Sequence, residues 1–186
     1  VNIIIVSDHG MQDVNLANRI PLDKLLNGIP ARVVNSGALA HLYLEDPSQK
    51  AKILTELSQK KGAFKVVDPK ELEYYKDLSL YGDRIGDLLI LADLGSYLVE
   101  TEASLEVLAR RMQIDDTDFR GEHGFSPEYP EMHGIFYANG PQIKSDMTIN
   151  SFDNIHIYPL ICKILGLPVP AEVQGDLAVL APILKD

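Results

Sequence analysis

Cysteine occurs once in 186 residues, at Cys162, so no intrachain disulfide can staple this fold. The thiol lies in an apolar helical pattern and is expected in the core, the usual place for a free cysteine. Positive charge is scarce as well: 17 Lys and Arg stand against 27 Asp and Glu, a formal net charge of −10. Tracking a polyanionic backbone needs clustered Lys and Arg, so nucleic-acid backbone binding is not expected. A small phosphate substrate stays compatible if a bound cation supplies the positive charge. No run approaches the ~18–20 apolar residues of a membrane span. No charged segment followed by an apolar stretch opens the chain either. Phosphate loops and dinucleotide fingerprints are missing, since RIGDLL (84–89) has a single glycine. Ser7 has no Gly-x-Ser-x-Gly elbow around it, and Ser126 has no neighbouring base, so neither is a good nucleophile candidate.

What is present is an ordinary globular composition, 46% hydrophobic and 24% charged, long enough for one domain over 1–186 with a sizeable core. IIIV (3–6) is a continuous β-branched run, the pattern of a central strand buried on both faces. The stretch 31–44 reads as two strands around an Asn35-Ser36-Gly37 turn. Asp46-Pro47 opens a helix whose face carries Ala51, Leu54 and Leu57, with Gly62 as its stop. Asp68-Pro69 with Glu71 repeats the start signal and predicts a second, shorter helix, with FKVV (64–67) a strand between the two. LLIL (88–91) reads as a strand with a possible partner at 97–99, and 102–112 as a helix. A polar loop is expected over 113–131 and a strand over 134–138. A last helix is expected over 153–165, kinked or started late by Pro159 and ended by Gly166. Strands alternating with helices predict an α/β layer fold.

The chemistry-bearing residues fall in two places. The first apolar strand runs into Asp8 and His9 side by side, and Gly10 permits a sharp backbone exit. Ligands of open α/β sheets sit at strand carboxyl ends, and a carboxylate beside an imidazole suits zinc and similar divalent ions. The same pair fits a polar strand end equally well. Farther on, His123 sits between Gly121 and Gly124, where it is either a ligand or a turn residue. His133 precedes a strand and reads first as a polar strand-end residue, while His41 and His156 read as structural.

Taken together, NIIIVSDHGM, RIGDLLILAD and GEHGF…EMHGIFYANGP resemble the nucleotide pyrophosphatase/phosphodiesterase family of the alkaline phosphatase superfamily. The tail IYPLICKILGLPVP is similar to that family's closing helix. The resemblance implies an alkaline-phosphatase-like α/β fold, a mixed sheet flanked by helices, with this chain as the C-terminal portion of the catalytic domain. It implies two divalent metal ions, most often zinc, with Asp8 and His9 on one and His123 on the other. His133 falls where members vary and is not carried over as a ligand. The nucleophilic Thr or Ser and the remaining metal ligands would lie upstream, so no catalytic nucleophile is expected within this chain. The implied activity is hydrolysis of phosphodiester or pyrophosphate bonds in a nucleotide or other small phosphodiester. Alternatives are another superfamily reaction (phosphatase, phosphonate hydrolase or phosphomutase) or a non-catalytic binding domain. Export, to the periplasm, the envelope or the exterior, is the location the resemblance implies. Phe125, Ser126 and Pro127 depart from the family's usual Tyr and Asp-Asn after His-Gly, which leaves the ligand in place and alters the loop.

Overall fold

A computed structural model describes residues 1–75, 82–112 and 118–185. Ten short strands and five helices form among them. In chain order, β1 is Ile3–Val6, β2 Gln12–Asn15, β3 Arg19–Pro21, α1 Leu22–Leu25, β4 Ala31–Asn35, β5 Leu39–Leu44 and α2 Lys50–Ser58. There follow β6 Phe64–Val67, β7 Leu88–Ala92, β8 Tyr97–Val99, α3 Glu102–Met112 and β9 Phe119–Glu122. The last elements are β10 Phe136–Asn139, α4 Ile157–Leu165 and α5 Leu177–Leu180. They group into two compact units, one of residues 11–132 and one of residues 1–10 with 133–186.

In the 11–132 unit an antiparallel sheet in the order β4-β5-β7-β6 carries the core. Alternation decides which side chains face inward: Ala40, Leu42 and Leu44 of β5 are buried, as the period-2 pattern requires. β7, in the middle, buries Leu88, Leu89 and Ile90 alike. α2 lays Ile53 and Leu57 onto the same core, and the Asp46 side chain caps the turn ahead of it by accepting from the Ser48 N–H. The 31–44 hairpin therefore forms as its sequence predicts, with β4 and β5 in antiparallel register. Three expectations change here. Asp68-Pro69 opens a single 3-10 turn, Pro69–Glu71, and not a helix. β8 pairs in parallel with β3, not with β7. The stretch taken as loop holds β9, paired antiparallel with β2, while residues 113–117 of that loop lie outside the described residues.

In the other unit β1 and β10 form an antiparallel two-stranded sheet. Its inner side chains Ile4, Phe136 and Ala138 pack on Ile143, Leu160, Leu180 and Ile183, with Phe136 edge-on to Phe152 at 5.0 Å. α4 starts late, at Ile157, with Pro159 in its first turn where the missing N–H costs nothing, and ends on Gly166 at φ +68°. Cys162 is buried on this helix. The expectation that β1 is buried on both faces fails. Ile3, Ile5 and Tyr137 share the outer face of the sheet and are 54%, 50% and 56% exposed. A β-branched run reports strand propensity and apolarity, and neither fixes how many faces are covered.

Candidate metal centre

Asp8 and His9 follow β1 directly, and the strand end is pinned before they begin. The Ser7 N–H donates to the Ile135 carbonyl at 3.2 Å, and the Ile135 N–H donates to Ser7 Oγ at 2.8 Å. Ser7 thus anchors the backbone at this strand end. Gly134 lies so close that an added Cβ would stand 2.7 Å from the Ser7 carbonyl oxygen.

Beyond that anchor the carboxylate and the imidazole converge. Asp8 Oδ1 accepts the His9 backbone N–H at 3.1 Å, and Asp8 Oδ2 stands 3.6 Å from His9 Nε2. His9 Nδ1 lies 2.6 Å from the Gly10 carbonyl, which can only accept, so Nδ1 is the donor in that contact and Nε2 is the nitrogen turned towards Asp8. This is how metal-binding histidines are commonly held, with the second nitrogen donating to a carbonyl. Oxygen and nitrogen each about 2.0–2.2 Å from a tetrahedral ion are about 3.4 Å apart, close to the gap observed. The donor set and its spacing fit a divalent ion. The Asp8 side chain is 85% exposed and that of His9 33%, so the pair is accessible. Gly10 is not among the glycines with a left-handed backbone, and the chain bends at Asp8 ahead of it. Its carbonyl is what orients His9.

His123 belongs to the 11–132 unit and is exposed at the end of β9. Gly121 allows β9 to run close to Met11, whose Cγ would be 3.0 Å from an added Cβ. Gly124 takes φ +90°, a conformation that favours glycine, and turns the chain away. The loop that follows is tied down: Phe125 and Met132 are buried in the core and Tyr129 packs against it. Two turns close it, from the Tyr129 N–H to the Ser126 carbonyl and from the Met132 N–H to the Tyr129 carbonyl. Apolar feet hold this loop, with Phe125 at the first. Burial raises the Tyr74 phenol above its ordinary value of 10.0 against the pull of its hydrogen bond with Ser126, and the Glu128 carboxylate raises it further.

Residues that sequence reasoning passed over lie just before His123. Arg120 and Glu122, two apart on one face of β9, form an ion pair with side chains only 25% and 11% exposed. The Arg120 guanidinium lies 4.7 Å over the Tyr97 ring and donates to its hydroxyl at 3.3 Å. The available signal was opposite charges at strand spacing immediately ahead of a candidate ligand. Of the other histidines, His133 lies 3.4 Å from Ser151 Oγ through Nδ1, and His156 Nδ1 accepts the Asp176 N–H at 2.9 Å. His41 Nδ1 accepts the Gly86 N–H at 3.2 Å. Among the described residues, no group of three or more His, Cys, Asp or Glu is arranged to hold an ion.

Comparison with known proteins sets this geometry in context. The family described as type I phosphodiesterase / nucleotide pyrophosphatase matches residues 1–126. Mouse ectonucleotide pyrophosphatase/phosphodiesterase family member 7 is 28% identical over 194 residues, covering all of this chain and 40% of the mouse protein. Bovine bis(5'-adenosyl)-triphosphatase ENPP4 is 29% identical over 175 residues, covering 90% of this chain and 33% of its own length. Among solved structures, an inactive variant of murine ENPP5 in complex with AMP matches with a TM-score of 0.77 at 24% identity, covering this whole chain and 46% of the murine one. The chain thus spans from a third to just under half the length of these relatives.

Proposed function

Because the chain belongs to the type I phosphodiesterase / nucleotide pyrophosphatase family and has its alkaline-phosphatase-like α/β fold, we propose that the protein carrying it hydrolyses phosphodiester or pyrophosphate bonds in small molecules, nucleotides first among them. The observation that carries this reading is the Asp8–His9 pair, with Oδ2 and Nε2 3.6 Å apart and the ring oriented by the Gly10 carbonyl. Bovine ENPP4 is named for a bis(5'-adenosyl) substrate and the murine ENPP5 structure holds AMP, which supports nucleotides as the substrate class.

Asp8 and His9 would hold one divalent ion, zinc being the best match to a carboxylate and imidazole set, and His123 would serve a second. Such ions supply the positive charge that phosphate oxygens need and that a chain of net charge −10 does not. The chain's own residues orient and exclude. The Gly10 carbonyl orients the His9 ring, the Ser7–Ile135 exchange holds the strand end, and the Phe125, Tyr129 and Met132 side chains hold the loop behind His123.

The nucleophile and the remaining ligands are proposed to come from outside these 186 residues, which with them form one catalytic domain. Two features support this. Ser7 and Ser126 have structural partners, and the outer face of β1 and β10 presents Ile3, Ile5, Ile135 and Tyr137 as an exposed apolar surface. Such a face on a two-stranded sheet is suited to being covered by further chain. A location outside the cytoplasm is proposed from the "ecto" relatives; among the described residues no helix is long and apolar enough to cross a membrane.

The test is turnover by the full-length protein of a nitrophenyl phosphodiester and of a nucleoside triphosphate, before and after chelation. The expected result is hydrolysis of both, lost with chelator and restored by zinc. Preference for phosphomonoesters would replace this reading by a phosphatase, and no turnover with any divalent ion would overturn it.

A further inference from the structure

The Arg120–Glu122 pair poses a problem of its own. Taking two charges out of water costs more than their mutual attraction usually returns, so a largely buried ion pair is weak evidence of a stabilising role. Such pairs are better explained where a defined geometry is needed. Here the geometry is specified three times over. The pair closes along one face of β9, the guanidinium is stacked and hydrogen-bonded on Tyr97, and the Tyr97 ring is seated on bare backbone at Gly37, where an added Cβ would meet it at van der Waals overlap. Tyr97 is in turn held by β8, which pairs with β3, and the Leu98 N–H donates to the Gly37 carbonyl at 2.7 Å. Opposite Arg120 across the ladder is Val14, fully buried in the core. The next residue after Glu122 is His123.

We infer that Arg120, Glu122 and Tyr97 form a positioning clamp that fixes the end of β9 and with it the imidazole of His123. Arg120 is suited to this because its planar guanidinium binds a carboxylate and stacks on an aromatic ring at once, which a lysine cannot do. Glu122 supplies the charge that makes the arrangement unique, since a neutral side chain would leave the guanidinium free to choose another acceptor. None of the three touches substrate in this scheme; they act through His123. The inference rests on the reading of His123 as a metal ligand for its importance, and on the geometry alone for the clamp.

The experiment uses the full-length protein and three variants: Glu122→Gln, the double variant Arg120→Met/Glu122→Gln, and His123→Ala. The double variant removes both charges together, so no buried charge is left unpaired and folding is retained, as its circular dichroism and melting temperature will show. Two readouts are taken. The first is the proton–carbon NMR signal of the His123 ring in metal-free protein, assigned by its loss in His123→Ala. The second is cobalt(II) affinity by titration of the visible absorption.

The clamp predicts a single sharp ring signal in wild type that shifts and broadens in both pair variants. It predicts cobalt affinity lowered about 10-fold or more in them, the usual cost of losing the support behind a metal-binding histidine. An unchanged ring signal in the folded double variant overturns the clamp. A changed signal with cobalt affinity indifferent to His123→Ala upholds the clamp and overturns the metal role of His123 instead.

Discussion

Ser7 and Ile135 hold each other by two hydrogen bonds, one from each N–H, at the point where β1 ends and the Asp8–His9 pair begins. One of the two acceptors is a side chain, Ser7 Oγ, so the last rung of this ladder depends on residue identity as well as backbone pairing. Gly134, beside that rung, leaves no room for a side chain.

Gly134→Ala is therefore expected to destabilise the protein by about 1–3 kcal/mol, the usual cost of overpacking, because its Cβ would meet the Ser7 carbonyl oxygen, which cannot swing away, as well as Ser7 Oγ. Ser7→Ala, which leaves the Ile135 N–H without its acceptor, is expected to cost about 1 kcal/mol. Chemical denaturation of both variants checks this, and Gly134→Ala should also lower metal affinity by displacing Asp8 and His9. A Gly134→Ala protein with wild-type stability would show that the strand end is not pinned there.

His41 makes stability depend on pH. Burial holds its pKa below the ordinary 6.5, and its Nδ1 must stay unprotonated to accept the Gly86 N–H. The unfolded chain therefore binds a proton more readily than the folded one, so this contribution is complete above about pH 6.5 and is lost as the pH falls through that value. Urea midpoints at pH 7.5 and 5.5 are expected to fall for wild type and to fall less for His41→Gln. Equal losses in the two proteins would remove His41 from the account.

Asp68 acts in a lower window. Burial pushes its carboxyl up, but the Lys50 ammonium at 2.6 Å and the Lys70 N–H outweigh it and hold the pKa below 3.8. Its stabilisation is thus intact at neutral pH and lost only as the pH falls below the ordinary carboxylate range. Asp68→Asn keeps the turn-capping oxygen and loses the charge, so it should cost less at pH 7 than Asp68→Ala, for which about 1–2 kcal/mol is expected. Thermal melts of the two variants rank them.

These outcomes also mark what the sequence could and could not disclose. The β4–β5 hairpin was legible because alternation and an Asn-Ser-Gly turn act within a few residues, and the late start of α4 because Pro159 acts locally. The strand at 97–99 was legible too, but its partner was not, since a three-residue parallel pairing between Arg19–Pro21 and Tyr97–Val99 leaves no periodic trace. Nor was the exposure of β1, because Ile3 and Ile5 look the same whether or not another layer covers them. At the site, Asp8, His9 and His123 stood out by residue type and glycine flanks. The orienting Gly10 carbonyl could not, being backbone, and Arg120 became meaningful only once Tyr97 was found beneath it.

The most direct test of the central claim is the metal content of the full-length protein, measured by elemental analysis after dialysis against buffered zinc, for wild type, Asp8→Ala, His9→Ala and His123→Ala. Wild type is expected to retain two ions, with each substitution losing one of them and at least 100-fold in phosphodiester turnover. Two tightly held ions and undiminished turnover in all three variants would contradict it.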